Sequence, residues 1–119
     1  MIDHLELRTR IPVQSLRFYG DVLAPLGYRL RVEGPAKGFG DGASLDFFIS
    51  EGDASANIHF AFAAPSRAVV DRIYEVAREA GHALDRAPAL APHIHPHYYA
   101  GYLRDPDGHL IEFVCHKPE

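Results

Sequence analysis

The sequence is poor in cysteine: Cys115 stands alone among 119 residues. An internal disulfide is therefore excluded, and a reducing, cytoplasmic setting is expected. Long hydrophobic runs are missing as well. The longest apolar stretch, around Phe60–Ala64, is a handful of residues, far short of the ~18 that span a bilayer. The first residues, MIDHLELRTR, mix both charges and hold no apolar segment, so no secretory signal is expected. Excess positive charge is also absent. Twelve Lys and Arg against 16 Asp and Glu give a net charge of -4, with the basic residues scattered. This disfavours a nucleic-acid partner held by phosphate contacts. No glycine-rich loop opens a helix, which argues against a nucleotide cofactor.

What remains is an ordinary globular composition, 47% apolar and 24% charged. That balance excludes a disordered chain, and the length suits one domain over residues 1–119. Histidine stands out. There are eight, five of them between His93 and His116. Histidine is the commonest metal ligand and the usual acid–base side chain near neutral pH.

The chain repeats itself. His4, Leu5, Leu7, Arg17 and Tyr19 match His59, Phe60, Phe62, Arg72 and Tyr74, each fifty-five residues on. GDGASLDFF at 40–48 matches PDGHLIEFV at 106–114, sixty-six residues on, so Asp46 falls on Glu112 and Phe47 on Phe113. The change of offset adds eleven residues to the second half, around APALAPHIHPHYY. The two modules cover about 1–52 and about 56–119. Each is too small to be stable alone, so a shared core is expected.

Local patterns agree between the halves. Leu5 and Leu7 alternate with His4, Glu6 and Arg8, which predicts a strand. Pro12 suits a helix start, Leu16, Tyr19, Leu23 and Leu26 recur at helical spacing, and Gly27 suits a stop. In the second half Ile58, Phe60 and Phe62 alternate, Ser66 can cap a helix striped by Val69, Ile73, Val76 and Ala80, and Gly81 can end it. Strands are predicted at 28–33, 36–40 and 44–50, then at 82–86, 98–104 and 109–116. Asp105-Pro106-Asp107-Gly108 predicts a turn. The order is β-α-β-β-β, twice: an α+β fold of two βαβββ modules.

Strand parity gathers four polar positions. If the apolar faces pack on the helices, His4, Asp46, His59 and Glu112 all project from the opposite side. Two imidazoles and two carboxylates suit a divalent ion such as Zn, Ni, Mn or Fe(II). Taken singly, each of these residues is more often a solvated side chain at the edge of a sheet.

DHLELRT, SLRFYGDVLAPLGYRL, GFGDGASLDFFI, HFAFAAPSRAVVD and above all DPDGHLIEFVCH resemble the vicinal oxygen chelate superfamily. That superfamily groups glyoxalase I, extradiol dioxygenases and the bleomycin- and fosfomycin-resistance proteins. The resemblance spans nearly the whole chain. It implies an open, cup-like mixed sheet around a divalent metal, with ligand positions at His4, Asp46, His59 and Glu112, and a homodimer. Glyoxalase I enzymes carry glutamate where this chain has Asp46, a shorter side chain. If Asp46 binds, two open metal positions suit lyase or isomerase chemistry through an enediolate, with Glu112 moving the proton. If it does not, His4, His59 and Glu112 form a two-histidine, one-carboxylate triad suited to Fe(II) and oxygen. The third alternative is a cup that binds a drug or other small molecule without reaction.

The insertion places His93, His95 and His97 two residues apart, on one side of an extended segment. His95 and His97 are the candidates to reach the cup as acid–base groups; the alternative is a stiff, solvated loop. Extended spacing sets such rings about 7 Å apart, so they are poor metal ligands by themselves. Arg8, Phe48, Tyr99, Tyr102 and His116 are the candidate substrate-binding residues. Arg8 could anchor a substrate carboxylate or phosphate, or pair with Glu6 at the surface. His82 and His109 follow no pattern, and parity makes Cys115 a buried thiol.

Overall fold

The computed structural model describes residues 2–119. The first strand, β1 (Leu5–Thr9), buries Leu7 and Thr9 and exposes Glu6 and Arg8, the alternation its sequence shows. Helix α1 (Pro12–Leu23) starts on Pro12, whose missing N–H costs nothing in the first turn. A 3-10 turn, Ala24–Leu26, carries it to Gly27 at φ 82°, a left-handed cap that favours glycine. Strands β2 (Arg29–Glu33), β3 (Ala36–Gly40) and β4 (Leu45–Glu51) complete the first module. The second repeats the plan: β5 (His59–Ala63), α2 (Arg67–Glu79), β6 (Ala89–Leu90), β7 (Tyr99–Arg104) and β8 (Leu110–Cys115). The Ser66 hydroxyl caps α2 by accepting from the Val69 N–H at 3.2 Å.

The strands form two four-stranded mixed sheets, ordered β1-β4-β3-β2 and β5-β8-β7-β6. In each, the first strand runs parallel to the last, and the other pairs are antiparallel. The strand expected at 82–86 is irregular. Leu84 makes one isolated bridge to Leu103, and the short strand lies further on, at Ala89–Leu90. Pro88, which has no N–H to give to a ladder, separates the two. The buried stripe of α2 is Val70, Ile73 and Ala77. It is turned slightly from the expected one, which leaves Val69 and Val76 half-buried at its flanks.

One core serves both halves. Leu7, Phe18, Tyr19, Leu23, Phe47 and Ile49 pack with Ile73, Ala77, Leu103, Ile111 and Phe113. Across the seam the Phe47 ring meets Phe60 and Phe62, with centroids 5.8 and 5.4 Å apart. Cys115 is buried. Among the described residues, no helix is long and apolar enough to cross a membrane.

A polar tie joins the modules inside this core. The Tyr19 hydroxyl on α1 donates to Asp105 Oδ2 at 2.6 Å, and both residues are buried. Asp105 opens the expected turn, which closes through Gly108 N–H to Asp105 O at 2.8 Å. Its Oδ1 accepts the Asp107 and His109 N–H groups at 3.0 and 2.9 Å. A second tie runs from His82 to Asp21 at 2.8 Å. Tyr19→Phe keeps the ring and leaves a buried carboxylate oxygen without its donor. The expected cost is about 1–3 kcal/mol of folding stability, read from urea unfolding midpoints. An unchanged midpoint would show that the tie contributes nothing.

Candidate functional site

Each sheet is covered by its helix on one face. The other face is where the expected site residues fall. On β8, Ile111, Phe113 and Cys115 face α2, so Glu112 and His116 project from the open side. Glu112 lies mid-sheet, opposite Ala61 on β5 and Tyr102 on β7. It is only 4% exposed. Its Oε1 meets His59 Nε2 at 3.0 Å, and its Oε2 accepts from the Tyr98 hydroxyl in a short hydrogen bond. Among the described residues no Lys or Arg pairs with this carboxylate. Burial, and then the adjoining Glu112 carboxylate, push the Tyr98 phenol well above its ordinary pKa and raise Tyr102 as well.

A wall of imidazoles stands beside it. The segment 92–97 turns instead of running extended, through Ile94 N–H to Ala91 O and Tyr98 N–H to His95 O. The expected one-sided row of histidines is therefore broken. His95 alone turns inward, while His93 and His97 are exposed. His95 Nδ1 accepts the His97 backbone N–H at 3.1 Å. Its proton is thereby placed on Nε2, which donates to His116 Nδ1 at 2.9 Å. The Tyr98 ring lies edge-on to both imidazoles, with centroids 5.5 and 5.2 Å away. The His97 side chain takes no part in this network.

Of the expected substrate-binding tyrosines, Tyr102 lies on the open face and Tyr99 does not. Alternation along β7 sends Tyr99 to the helix side, where its hydroxyl donates to Asp71 on α2 at 2.6 Å and burial first, then that carboxylate, raise its pKa to about 12. Tyr98, one residue earlier, occupies the position expected of Tyr99. Tyr98 and Arg86 are the two residues at this site that the sequence reading missed. The parity of Tyr98 with Tyr102 was a usable signal for the first. Nothing in the sequence marked Arg86, whose guanidinium lies 3.9 Å from the Tyr102 ring centroid.

The first module does not copy this arrangement. His4 Nδ1 bonds Asp3 at 2.7 Å, and its ring meets Phe48 edge-on at 5.6 Å. Asp46 accepts from the Tyr28 hydroxyl at 2.9 Å and the Ser44 hydroxyl at 3.3 Å. Its Oδ1 is buried without a partner. The sheet register shows the difference. Glu6 lies opposite Phe48, whereas Ala61, its counterpart in the repeat, lies opposite Glu112. Phe48 thus stands where Glu112 stands in the other sheet, and Asp46 sits two residues nearer the strand's start. An irregular register where β3 meets β4, between Phe39 and Gly40, accompanies this.

His59 and Glu112 are therefore together, while His4 and Asp46 hold separate partners. Among the described residues, no three His, Cys, Asp or Glu side chains are grouped closely enough to hold a metal ion. A single copy of the chain does not fit the four-ligand centre. Arg8 is also apart from Glu112. It lines a cavity of about 230 Å³ along the edge of β1 with Glu6, Asp53, Ser55 and the buried His109. Glu6 accepts from Ser50 at 2.5 Å and does not pair with Arg8.

The sequence model of the Glyoxalase/Bleomycin resistance protein/Dioxygenase superfamily matches residues 1–113. The chain belongs to this superfamily. Solved structures share its fold. A glyoxalase/bleomycin resistance protein from Albidiferax ferrireducens T118 is 22% identical, with 98% of each chain covered and a TM-score of 0.79. Lactoylglutathione lyase from Agrobacterium tumefaciens is 20% identical, over 97% of this chain and 92% of that one, with a TM-score of 0.73. TioX from Micromonospora sp. ML1 is 17% identical, over 98% and 99%, with a TM-score of 0.74. No curated protein matches the sequence. For this member of the superfamily, the titration of the tyrosines is a direct consequence of how they are packed.

Tyr19, Tyr28, Tyr98, Tyr99 and Tyr102 all have raised pKa values, burial being the largest cause and a carboxylate charge or hydrogen bond the next. Below the ordinary tyrosine value of ~10 both folded and unfolded chains hold these protons. Above it the unfolded chain releases them first, so stability falls as pH rises. Urea midpoints are expected to hold steady from neutral pH to about pH 10 and to decline above it, less steeply in Tyr98→Phe. A flat profile through that range would contradict the packing described for these phenols.

Proposed function

We propose that this chain binds a small organic molecule on the open face of its second sheet, with Glu112 as the anchoring acceptor. One observation carries the reading. Among the described residues, this carboxylate, held in mid-sheet at 4% exposure, is hydrogen-bonded by His59 and Tyr98 beside the Tyr102 phenol and is paired with no Lys or Arg. A carboxylate has about four acceptor positions, so this one keeps capacity for a ligand hydroxyl or N–H. For a ligand with an acidic proton, the same oxygen is placed to take it. His95, His116, Tyr98 and Tyr102 supply an aromatic wall with polar tips, the usual make-up of a small-molecule site.

A thermal-shift screen of small hydroxylated compounds on the wild type and on Glu112→Gln tests this. Binding to the native state raises Tm by mass action. Compounds that stabilise the wild type are expected to lose most of that shift in the variant. Equal shifts in both proteins would remove Glu112 from the site.

A second reading, a divalent-metal lyase or dioxygenase working as a homodimer, is favoured by the Asp46 oxygen buried without a partner. In that reading, His4 and Asp46 of one copy join His59 and Glu112 of another. Elemental analysis of protein purified without added ions would then find Zn, Ni, Mn or Fe in a dimer, and His59→Ala would lose it. Metal-free monomers in both preparations would end this reading.

A further inference from the structure

Arg86 carries no sequence signal, and its place comes from the fold. Its guanidinium carbon lies 3.9 Å from the Tyr102 centroid, over the ring. Tyr102 in turn is the β7 residue directly opposite Glu112. The backbone beneath Arg86 is fastened to that strand: Tyr102 N–H donates to Arg86 O at 2.9 Å, and Asp85 N–H to Tyr102 O at 3.0 Å. The arginine therefore rises from a fixed base, and its guanidinium sits over the Tyr102 ring even though the side chain is 65% exposed. Stacking uses the face of a guanidinium. The edge N–H groups, which recognise a carboxylate in two parallel hydrogen bonds, stay available. The nearest carboxylate is Asp85, 3.5 Å from Arg86 Nε and already bonded by Arg104 Nε at 3.0 Å. Among the described residues, neither terminal nitrogen of Arg86 makes a hydrogen bond.

We propose that Arg86 is an anion-recognising residue of the Glu112 face, and that the ligand is a small hydroxy-substituted organic acid. The proposal rests on the Glu112 reading above and adds the ligand's class and orientation to it. The two charges leave one favourable direction. A ligand carboxylate is repelled by Glu112 and drawn to Arg86, while the ligand hydroxyl donates to Glu112. A cationic ligand meets the opposite arrangement and is turned away at Arg86. Opposed residues on neighbouring strands have Cβ atoms about 5 Å apart, and the guanidinium lies over the ring of the residue opposite Glu112, so an acid built on a single ring is of the size to meet both groups.

Isothermal titration of the full chain with 4-hydroxybenzoate and its neutral amide, 4-hydroxybenzamide, tests this. The wild type is expected to bind the acid about tenfold more tightly than the amide, a preference that weakens with salt. Arg86→Met is expected to erase the preference while leaving the amide's affinity in place, and Arg86→Lys to restore only part of it. Thermal melting of both variants checks that this exposed position leaves the fold intact. Equal affinity of the wild type for acid and amide, with both weakened in Glu112→Gln, overturns the role of Arg86 and leaves the Glu112 reading standing. Affinities unchanged in Glu112→Gln overturn the Glu112 reading itself. Failure of the wild type to bind either probe at millimolar concentration overturns the ligand class.

Discussion

Each sheet in this chain has a helix against one face only, and strand side chains alternate strictly between faces. The covered face must be apolar to pack on α1 or α2, so chemistry is confined to the other. A slip of one residue in β8 would turn Glu112 toward α2 and take Ile111 and Phe113 off the helix they pack on. Both are among the most deeply buried residues. The packing of these apolar residues is therefore what holds the carboxylate on the open face. The same alternation separates Tyr98 and Tyr102 from Tyr99, which is drawn down to Asp71 on α2.

Much of the fold was legible because it depends on local signals. The alternation in residues 5–9, 45–51 and 110–115, Pro12 and Ser66 as starts, Gly27 and Gly81 as stops, and the turn at 105–108 act over a few residues each. The second sheet's edge was less legible. Residues 82–86 follow β7 through scattered hydrogen bonds, with Arg104 N–H to Ala83 O among them. No periodic pattern encodes such an irregular run. The shape of the histidine insertion was hidden for a similar reason. Two backbone turns decide that His95 faces inward and His97 outward, and spacing alone assumes an extended chain.

Sequence equivalence between the halves is not spatial equivalence. Asp46 aligns with Glu112, and the two share parity, yet the β1–β4 pairing sets Phe48 at the level that Glu112 takes in β5–β8. A two-residue difference in register preserves which face a side chain points to and changes where along the sheet it stands. The alignment could show the first and not the second. Tyr28 and Ser44, supplied by neighbouring segments, then serve Asp46 within its own module. The halves share an architecture while their open faces differ: one sets Phe48 at mid-sheet and pairs Asp46, nearer the strand's start, with Tyr28 and Ser44, and the other sets Glu112 at mid-sheet with tyrosine and imidazole partners.

That difference bears on the cost of Glu112 in so dry a position. Burying an ionised carboxylate is costly unless donors or cations compensate it. His59 and Tyr98 compensate in part, and Tyr98 can do so only while its phenol keeps its proton, which burial and Glu112 itself ensure. A fold seeking stability alone would place an apolar residue here, as the first module does at Phe48. The Arg86 guanidinium lies over the ring of Tyr102, the residue opposite Glu112, and among the described residues forms no salt bridge with that carboxylate. The proposed ligand, with a hydroxyl at one end and an anion at the other, is one whose two ends would answer these two groups.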